Sequence, residues 1–452
     1  MTEERKKEYL IYKLADTMKG HTKMDPDLFI KLEVKRGLRN EDGTGVLVGL
    51  THIGNVVGYE RRGDAIIPCE GKLYFRGYEV ADLAHAIMKE KRFGFEEVAY
   101  LLLSGELPDN EALREFKSLI YDNMFLEKNT LLHIIEMEGH DIMNILSRSV
   151  LEMYTFDSNP DDLSKENLMR QSIELISKFP TIIAYAFNML RRKEFGRSLH
   201  IRDAKPELSI AENFLYMLKG PENYSELDAR TLDLLMILHS EHGGGNNSTF
   251  TVRVTSSTGT DTYSSIAAGI GSLKGPKHGG ANIKVSDMIN WIKAKTEDWN
   301  DEEAIRKVLR SILDKEGFDK SGLIYGIGHA VYTKSDPRTV LLKEMAAELA
   351  AEKGRSREFE LLERIERLAI EEFRAAKGND KTVCANVDFY SGFVYELIGI
   401  PREIYTPLFA MARIVGWCAH RNEELNFEGR RIIRPAYRCI TEENDYVTLS
   451  RR

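Results

Sequence analysis

The apolar residues of this chain recur mostly at helical spacing, and the few exceptions cluster near the start. Leu10, Ile11, Leu14 and Met18 share one face of a helix predicted over residues 3–19, with Gly20 just past it. Strand-like runs follow at 46–48, 56–59 and 72–76, punctuated by Gly54, Gly63, Gly71 and Gly77. Only here does the pattern predict a small sheet. From Val80 to about Ser240 the period is helical almost throughout. The run 95–103 stops at Ser104-Gly105, Pro108-Asp109 opens a helix from Asn110, and further helices are read over 141–153 and from Pro180 to Arg191. Residues 231–238 are apolar nearly all round, as a buried central helix requires.

Beyond that helix, polar residues gather at the joints between elements. His239-Ser240-Glu241-His242-Gly243-Gly244-Gly245 follows the central helix. A helix over 263–274 leads into Gly275-Pro276-Lys277-His278-Gly279-Gly280, and Val285, Met288, Ile289 and Ile292 then mark the next one. His278 is thereby expected in a turn at a helix N-terminus, where the macrodipole disfavours a cationic imidazole and favours a neutral hydrogen-bond donor. Gly326-Ile327-Gly328-His329 precedes Asp336-Pro337-Arg338, with Asp336 as N-cap and Pro337 at the first helical position. Asn300 is read as the N-cap of an exposed helix over 301–315, and Gly354 separates the Arg338 helix from a highly charged one over 358–374. Asp388 falls in Asn386-Val387-Asp388-Phe389, at the start of a helix over 386–397, and the last strong helix spans 401–420. The tail from Glu428 is irregular and basic.

Length and composition narrow the class of protein. The 452 residues, 42% hydrophobic and 30% charged, suit a soluble globular chain of more than one domain. A net charge of −8 opposes binding to nucleic acid or to an anionic membrane surface. Cys69, Cys384, Cys418 and Cys439 lack metal-type spacing and read as thiols of a reducing compartment. No apolar run is long enough for a membrane span, and the segment from Met1 to Arg5 has no secretory or transit character, so the expected location is cytoplasmic. The high surface charge of the later helices suggests a smaller mobile domain over 285–393 set on a larger one made of 1–284 and 394–452.

Two other chemistries were open at these residues. His239 and His242 share a helical face and could form a metal pair, although the H-E-x-x-H order and a third ligand are missing. Gly326-Ile327-Gly328 imitates part of a dinucleotide fingerprint without the βαβ frame.

Taken together, the segments 275–282, 328–338 and 386–392 resemble the three active-site signatures of the citrate synthase family. Leu238–His242 and Phe409–Arg413 match two further segments of it, and the similarity runs from about Gly71 to Arg434. The resemblance implies an all-α fold with a minor N-terminal β portion, a large domain, and a small domain that closes on substrate. It implies a homodimer condensing acetyl-CoA with oxaloacetate, with a coenzyme A thioester as cosubstrate and with no metal or tightly bound cofactor. Asp388 would be the base, His278 the donor to the thioester carbonyl, and His329 the donor to the oxaloacetate ketone. His242, Arg338 and Arg413 would hold the oxaloacetate carboxylates, Arg434 would reach in from the partner subunit, and Phe409 would lie near the product. Where many relatives carry a basic residue against the CoA phosphates this chain has Thr333, leaving Lys334 as the candidate. The same signatures serve a 2-methylcitrate synthase using propionyl-CoA, and a helical scaffold that keeps the fold without the chemistry is the non-enzymatic alternative.

Overall fold

A computed structural model describes the chain apart from residues 1, 64, 138 and 379–381; Met1, where the reading of the N-terminus begins, therefore lies outside the described residues. The chain forms two compact units, 1–50 and 51–452. In the first, the helix Glu3–His21 carries no buried residue, followed by a short helix Asp27–Lys31 and a 3-10 turn Arg36–Leu38. The strand expected at 46–48 is absent; the pairing nearby amounts to an isolated bridge between Arg39 and Gly45. Leu47 and Val48 are exposed, so no sheet face gives their alternation a use.

The second unit opens with β1 (Gly54–Arg62), β2 (Ala65–Phe75) and the short β3 (Tyr78–Glu79), joined antiparallel in that order. Of the four glycines read as punctuation, Gly63 and Gly77 do sit in turns at positive φ, whereas Gly54 and Gly71 lie inside strands. Among the described residues every named element after β3 is a helix, so the expected all-α fold with a minor β portion is found. Asp109 caps the helix from Asn110 by accepting from the Glu111 and Ala112 amides, and Gly105 ends the preceding helix in the left-handed region. Pro180 does not begin a helix. It lies within Lys165–Phe195, whose N-cap is Ser164 and whose first half buries Leu168, Leu175, Ile176 and Phe179. Proline removes one backbone donor there, and core contacts on both sides hold the helix through it. The N-cap of the helix Glu302–Leu313 is Asp301, which accepts from the Ala304 amide, and not Asn300.

Two helices form the spine of the core. Glu226–His239 is buried along nearly its whole length, and Tyr405–Asn426 runs against it with Leu408, Ala410, Ile414, Val415 and Trp417 inside. Among the described residues no helix is long and apolar enough to cross a membrane.

Candidate active site

The site begins where the buried helix Glu226–His239 runs out. Its last carbonyls need partners, and the crossing helix Tyr405–Asn426 supplies them: Arg413 Nε donates to the His239 carbonyl at 2.6 Å, and the Gly416 amide donates to Ser240 at 3.2 Å. His239 turns its Nδ1 to the Leu235 carbonyl of its own helix at 2.9 Å and sets its ring edge-on to Phe409. His242 is buried, with its ring 5.1 Å from that of His329 and 5.6 Å from Tyr332, and its Nε2 has no partner among the described residues. Glu241, wholly buried, accepts from the Gly243 amide and from His420 Nε2. Arg253 donates to His420 Nδ1 at 2.7 Å, which places the His420 proton on Nε2, facing the carboxylate.

His278 lies in a turn just ahead of the helix Ala281–Lys295, as expected, and the Thr406 hydroxyl ties that turn to the crossing helix through the Gly279 carbonyl. Its Nε2 is 3.0 Å from the Ser248 hydroxyl, which also accepts from the Trp417 indole and lies 3.0 Å from Asn246 Oδ1. Nδ1 is the ring atom left for a ligand, and it carries the proton when the Ser248 hydroxyl turns from Asn246 Oδ1 to donate to Nε2. Burial, reinforced by the Arg413 charge, pushes the imidazole down to about 4. It is neutral at physiological pH, by desolvation more than by the helix terminus invoked from sequence.

The third wall is one unit assembled from two segments distant in sequence. Ile327 and Ala385 form an antiparallel bridge, flanked by Gly328 N–H to Cys384 and Asn386 N–H to Gly326, each at 2.8 Å. The Asn386 side chain closes the zipper by donating to the Gly328 carbonyl and accepting from the Asp388 amide. His329 and Asp388 are thereby fixed relative to each other. The Val331 and Tyr332 amides both donate to His329 Nδ1 at 3.0 Å, so the neutral ring carries its proton on Nε2 and acts there as a donor. Asp388 opens the helix Asp388–Ile398, whose terminus favours the anion. Burial outweighs that pull and the attraction of Arg338 and Arg413, and the carboxyl is pushed up to about 6.

Arg338 and Arg413 complete the site. Asp336 caps its helix and also takes Arg338 Nε and Nη2 at 3.0 and 2.7 Å. Arg413 is completely buried, stacks 4.8 Å from Phe409, and has no hydrogen-bond partner at either terminal nitrogen among the described residues. Burial lowers its pKa to about 10, against the through-space pull of the Glu241 and Asp388 carboxylates. His242, His329, His278, Asp388, Arg338, Arg413 and Phe409 thus come together. Lys334 is exposed beside them, and Arg434 is exposed in the tail, with Ile433 tied to the Ser257 hydroxyl.

Four participants were missed in the sequence. Ser248 and Tyr332 touch the candidate histidines, and Glu241 and His420 brace the turn that carries His242, yet each looks ordinary in its own segment. Glu241 does not make a metal-binding order with the two histidines; its place between Ser240 and His242, just ahead of the glycines, is the available signal.

Comparison with known proteins points to one family. A family model described as citrate synthase, C-terminal domain, matches residues 42–436. Citrate synthase of Synechocystis is 35% identical over 392 residues, covering 85% of this chain and 89% of that protein, and that of Haloferax volcanii is 34% identical, covering 93% and 99%. The crystal structure of citrate synthase from Pyrobaculum aerophilum superposes with a TM-score of 0.73 at 32% identity, covering 90% of this chain and 94% of that one. A Thermoplasma acidophilum citrate synthase, solved as a ternary complex with carboxymethyl coenzyme A and oxaloacetate, also gives 0.73, at 27% identity and with 90% and 97% covered.

Proposed function

Because the chain belongs to the citrate synthase family, we propose that it joins the methyl carbon of acetyl-CoA to the ketone of oxaloacetate and hydrolyses the product thioester to citrate and free CoA. The observation that carries this reading is Arg413, a buried cation with two unpaired terminal nitrogens, in the same field as an aspartate poised near neutrality. A buried guanidinium costs several kcal/mol to leave unpaired, and a planar carboxylate answers its fork.

The steps follow from the protonation states. Asp388, ionised above about pH 6, takes a methyl proton from the thioester, and the electron pair moves onto the thioester oxygen, to which neutral His278 donates. The enol carbon attacks the ketone carbon of oxaloacetate, whose oxygen receives the proton held at His329 Nε2. His242, Arg413 and the remaining Nη1 of Arg338 bind the oxaloacetate carboxylates. Water then displaces CoA from the citryl thioester, leaving a carboxylate and a thiol. Phe409 faces His239 and His278 and supplies the apolar wall.

Residues 285–393 act in this reading as the small domain closing on the remainder, in a homodimer where Arg434 serves the partner's site and Lys334 meets the CoA phosphates. The setting is the cytoplasm. Acetyl-CoA is preferred to propionyl-CoA, in keeping with citrate synthase as the activity named for the relatives. The test is thiol release from purified protein with oxaloacetate and either ester. Release with acetyl-CoA at the higher kcat/KM is expected; release with neither ester overturns the reading, and faster use of propionyl-CoA assigns 2-methylcitrate instead. Mixing inactive Arg434 and Arg338 variants should restore part of the activity, and failure to do so removes the shared site.

A further inference from the structure

The β1–β2 hairpin lies against the site with almost no side chains between. On β1, Gly54, Val56 and Gly58 alternate onto one face. A Cβ at Gly54 would stand 2.8 Å from Glu241 Oε1, and the Val56 side chain lies 3.1 Å from where a Cβ of Gly243 would be. A Cβ at Gly58 would stand 2.3 Å from the Val331 carbonyl, and one at Gly71 on β2 would stand 2.1 Å from the Ser335 carbonyl and 2.8 Å from the Tyr332 ring. At Gly58 and Gly71 the nearest atoms are backbone carbonyls, so the clash there cannot be relieved by turning a side chain.

The register explains how Gly58 and Gly71 come to lie side by side. Val57 pairs with Lys72 but Tyr59 pairs with Pro68, so the bulge leaves Gly58 opposite 69–71. Polar contacts then bind the two segments. The Gly71 amide donates to Ser335 Oγ at 3.1 Å, Ser335 Oγ donates to the Glu70 carboxylate, and Thr333 Oγ1 donates to the Gly58 carbonyl at 3.4 Å. One end of this face therefore touches the His242 turn, and the other touches the loop between His329 and Arg338. The two amides that fix the His329 tautomer belong to Val331 and Tyr332, the residues the glycines touch.

We propose that the β1–β2 hairpin is the spacer that sets the distance and ring orientation between His242 and His329, with Gly58 and Gly71, which lie outside the active-site signatures, and Ser335, which lies within one of them, as positioning residues. The hairpin contributes no group to the reacting atoms. It acts by allowing backbone-to-backbone approach, and any side chain at Gly58 or Gly71 pushes the His329 loop outward. A misplacement near 1 Å at a catalytic group costs roughly 10²-fold in rate. The kinetic part of this proposal rests on the oxaloacetate reading above; the structural part does not.

The experiment compares Gly58→Ala, Gly71→Ala and Ser335→Ala with Gly63→Ala, a control in the hairpin turn where a Cβ meets nothing within 4 Å but φ is +61°. For each, hydrogen exchange of the Val331 and Tyr332 amides, thermal midpoint, and KM for oxaloacetate and for acetyl-CoA are measured. Gly58→Ala and Gly71→Ala should exchange those amides about tenfold faster and raise the oxaloacetate KM by about tenfold or more, with a smaller change for acetyl-CoA. Ser335→Ala should move both in the same direction by about threefold, and Ser335→Thr should restore them. Gly63→Ala should lower the midpoint and leave exchange and KM alone. Folded Gly58→Ala and Gly71→Ala proteins with wild-type exchange and KM overturn the proposal, as does a Gly63→Ala protein that reproduces their pattern. Should the glycine variants not fold, wild-type values in Ser335→Ala overturn it. If wild-type protein releases no CoA, the activity reading falls, and the exchange data alone decide the role of the hairpin.

Discussion

Arg338 and Arg413 are both buried in one site, but the two regions that hold them neutralise charge in opposite ways. At the start of the helix Pro337–Glu352, Asp336 takes two of the Arg338 nitrogens, so the cation is matched before any ligand arrives. In the middle of the helix Tyr405–Asn426, Arg413 has one nitrogen on a carbonyl and two with no partner among the described residues. A prepaired arginine can be kept as part of the framework. An unpaired one makes the empty site electrostatically uncomfortable and gives an incoming dianion a large differential gain. Placing one of each in a single pocket yields affinity without a doubly uncompensated core.

Asp388 lies in the field of both arginines, so the largest effect is expected there. Asp388→Asn should lower kcat by roughly 10³-fold, within the span usual for a positioned base, while oxaloacetate affinity changes little. Steady-state rates beside calorimetric binding of oxaloacetate check this; near-normal turnover removes Asp388 as the base. The next effect separates the arginines directly. Asp336→Asn strands the Arg338 charge and takes away an N-cap, so it should cost about 3 kcal/mol or more in unfolding free energy. Arg413→Met should instead leave the apo protein as stable as before, or more so, and weaken oxaloacetate binding by roughly 10²-fold. Denaturant titration of both variants tests the contrast: a large loss of stability in Arg413→Met would mean that its unpaired nitrogens are satisfied in the folded protein.

Much of this site is legible in the sequence because its chemistry is carried by short local patterns. His278 among glycines, Asp336-Pro337-Arg338, and Asp388 after an asparagine each predict a joint between helices, and each is found at one. What escapes the sequence is whatever depends on pairing across distance. The bridge joining 326–328 to 384–386 has no signature in either segment, and Ser248 beneath His278 is a serine like any other. Gly54 and Gly71 show the same limit from another side. A glycine marks either a turn or a close approach, and only the structure shows that these two are approaches to Glu241 and Ser335. Asp336 was legible as a cap, while its second role as the partner of Arg338 required knowing that both side chains are buried.

The smallest expected effect is thermodynamic and comes from the same aspartate. Asp388 is raised from 3.8 to about 6 in the folded chain, chiefly by burial. For an acid with a raised folded pKa the folded state binds the proton more tightly than the unfolded one, so ionisation opposes folding. The penalty is absent below pH 3.8, grows between 3.8 and about 6, and is complete above 6. Asp388→Asn should therefore stabilise the protein at pH 7, by about 1–3 kcal/mol for a side chain that keeps some contact with solvent. The gain should vanish as the pH falls toward 4. His278 has the opposite sign: its folded pKa of about 4 lies below the ordinary 6.5, so its contribution is intact above 6.5 and is lost as pH falls through that window. Unfolding curves for wild type and Asp388→Asn at pH 7 and pH 4.5 separate the two. A stability gain of the same size at both values would show that the substitution acts through packing, and that the aspartate is not held in the partly protonated range its chemistry requires.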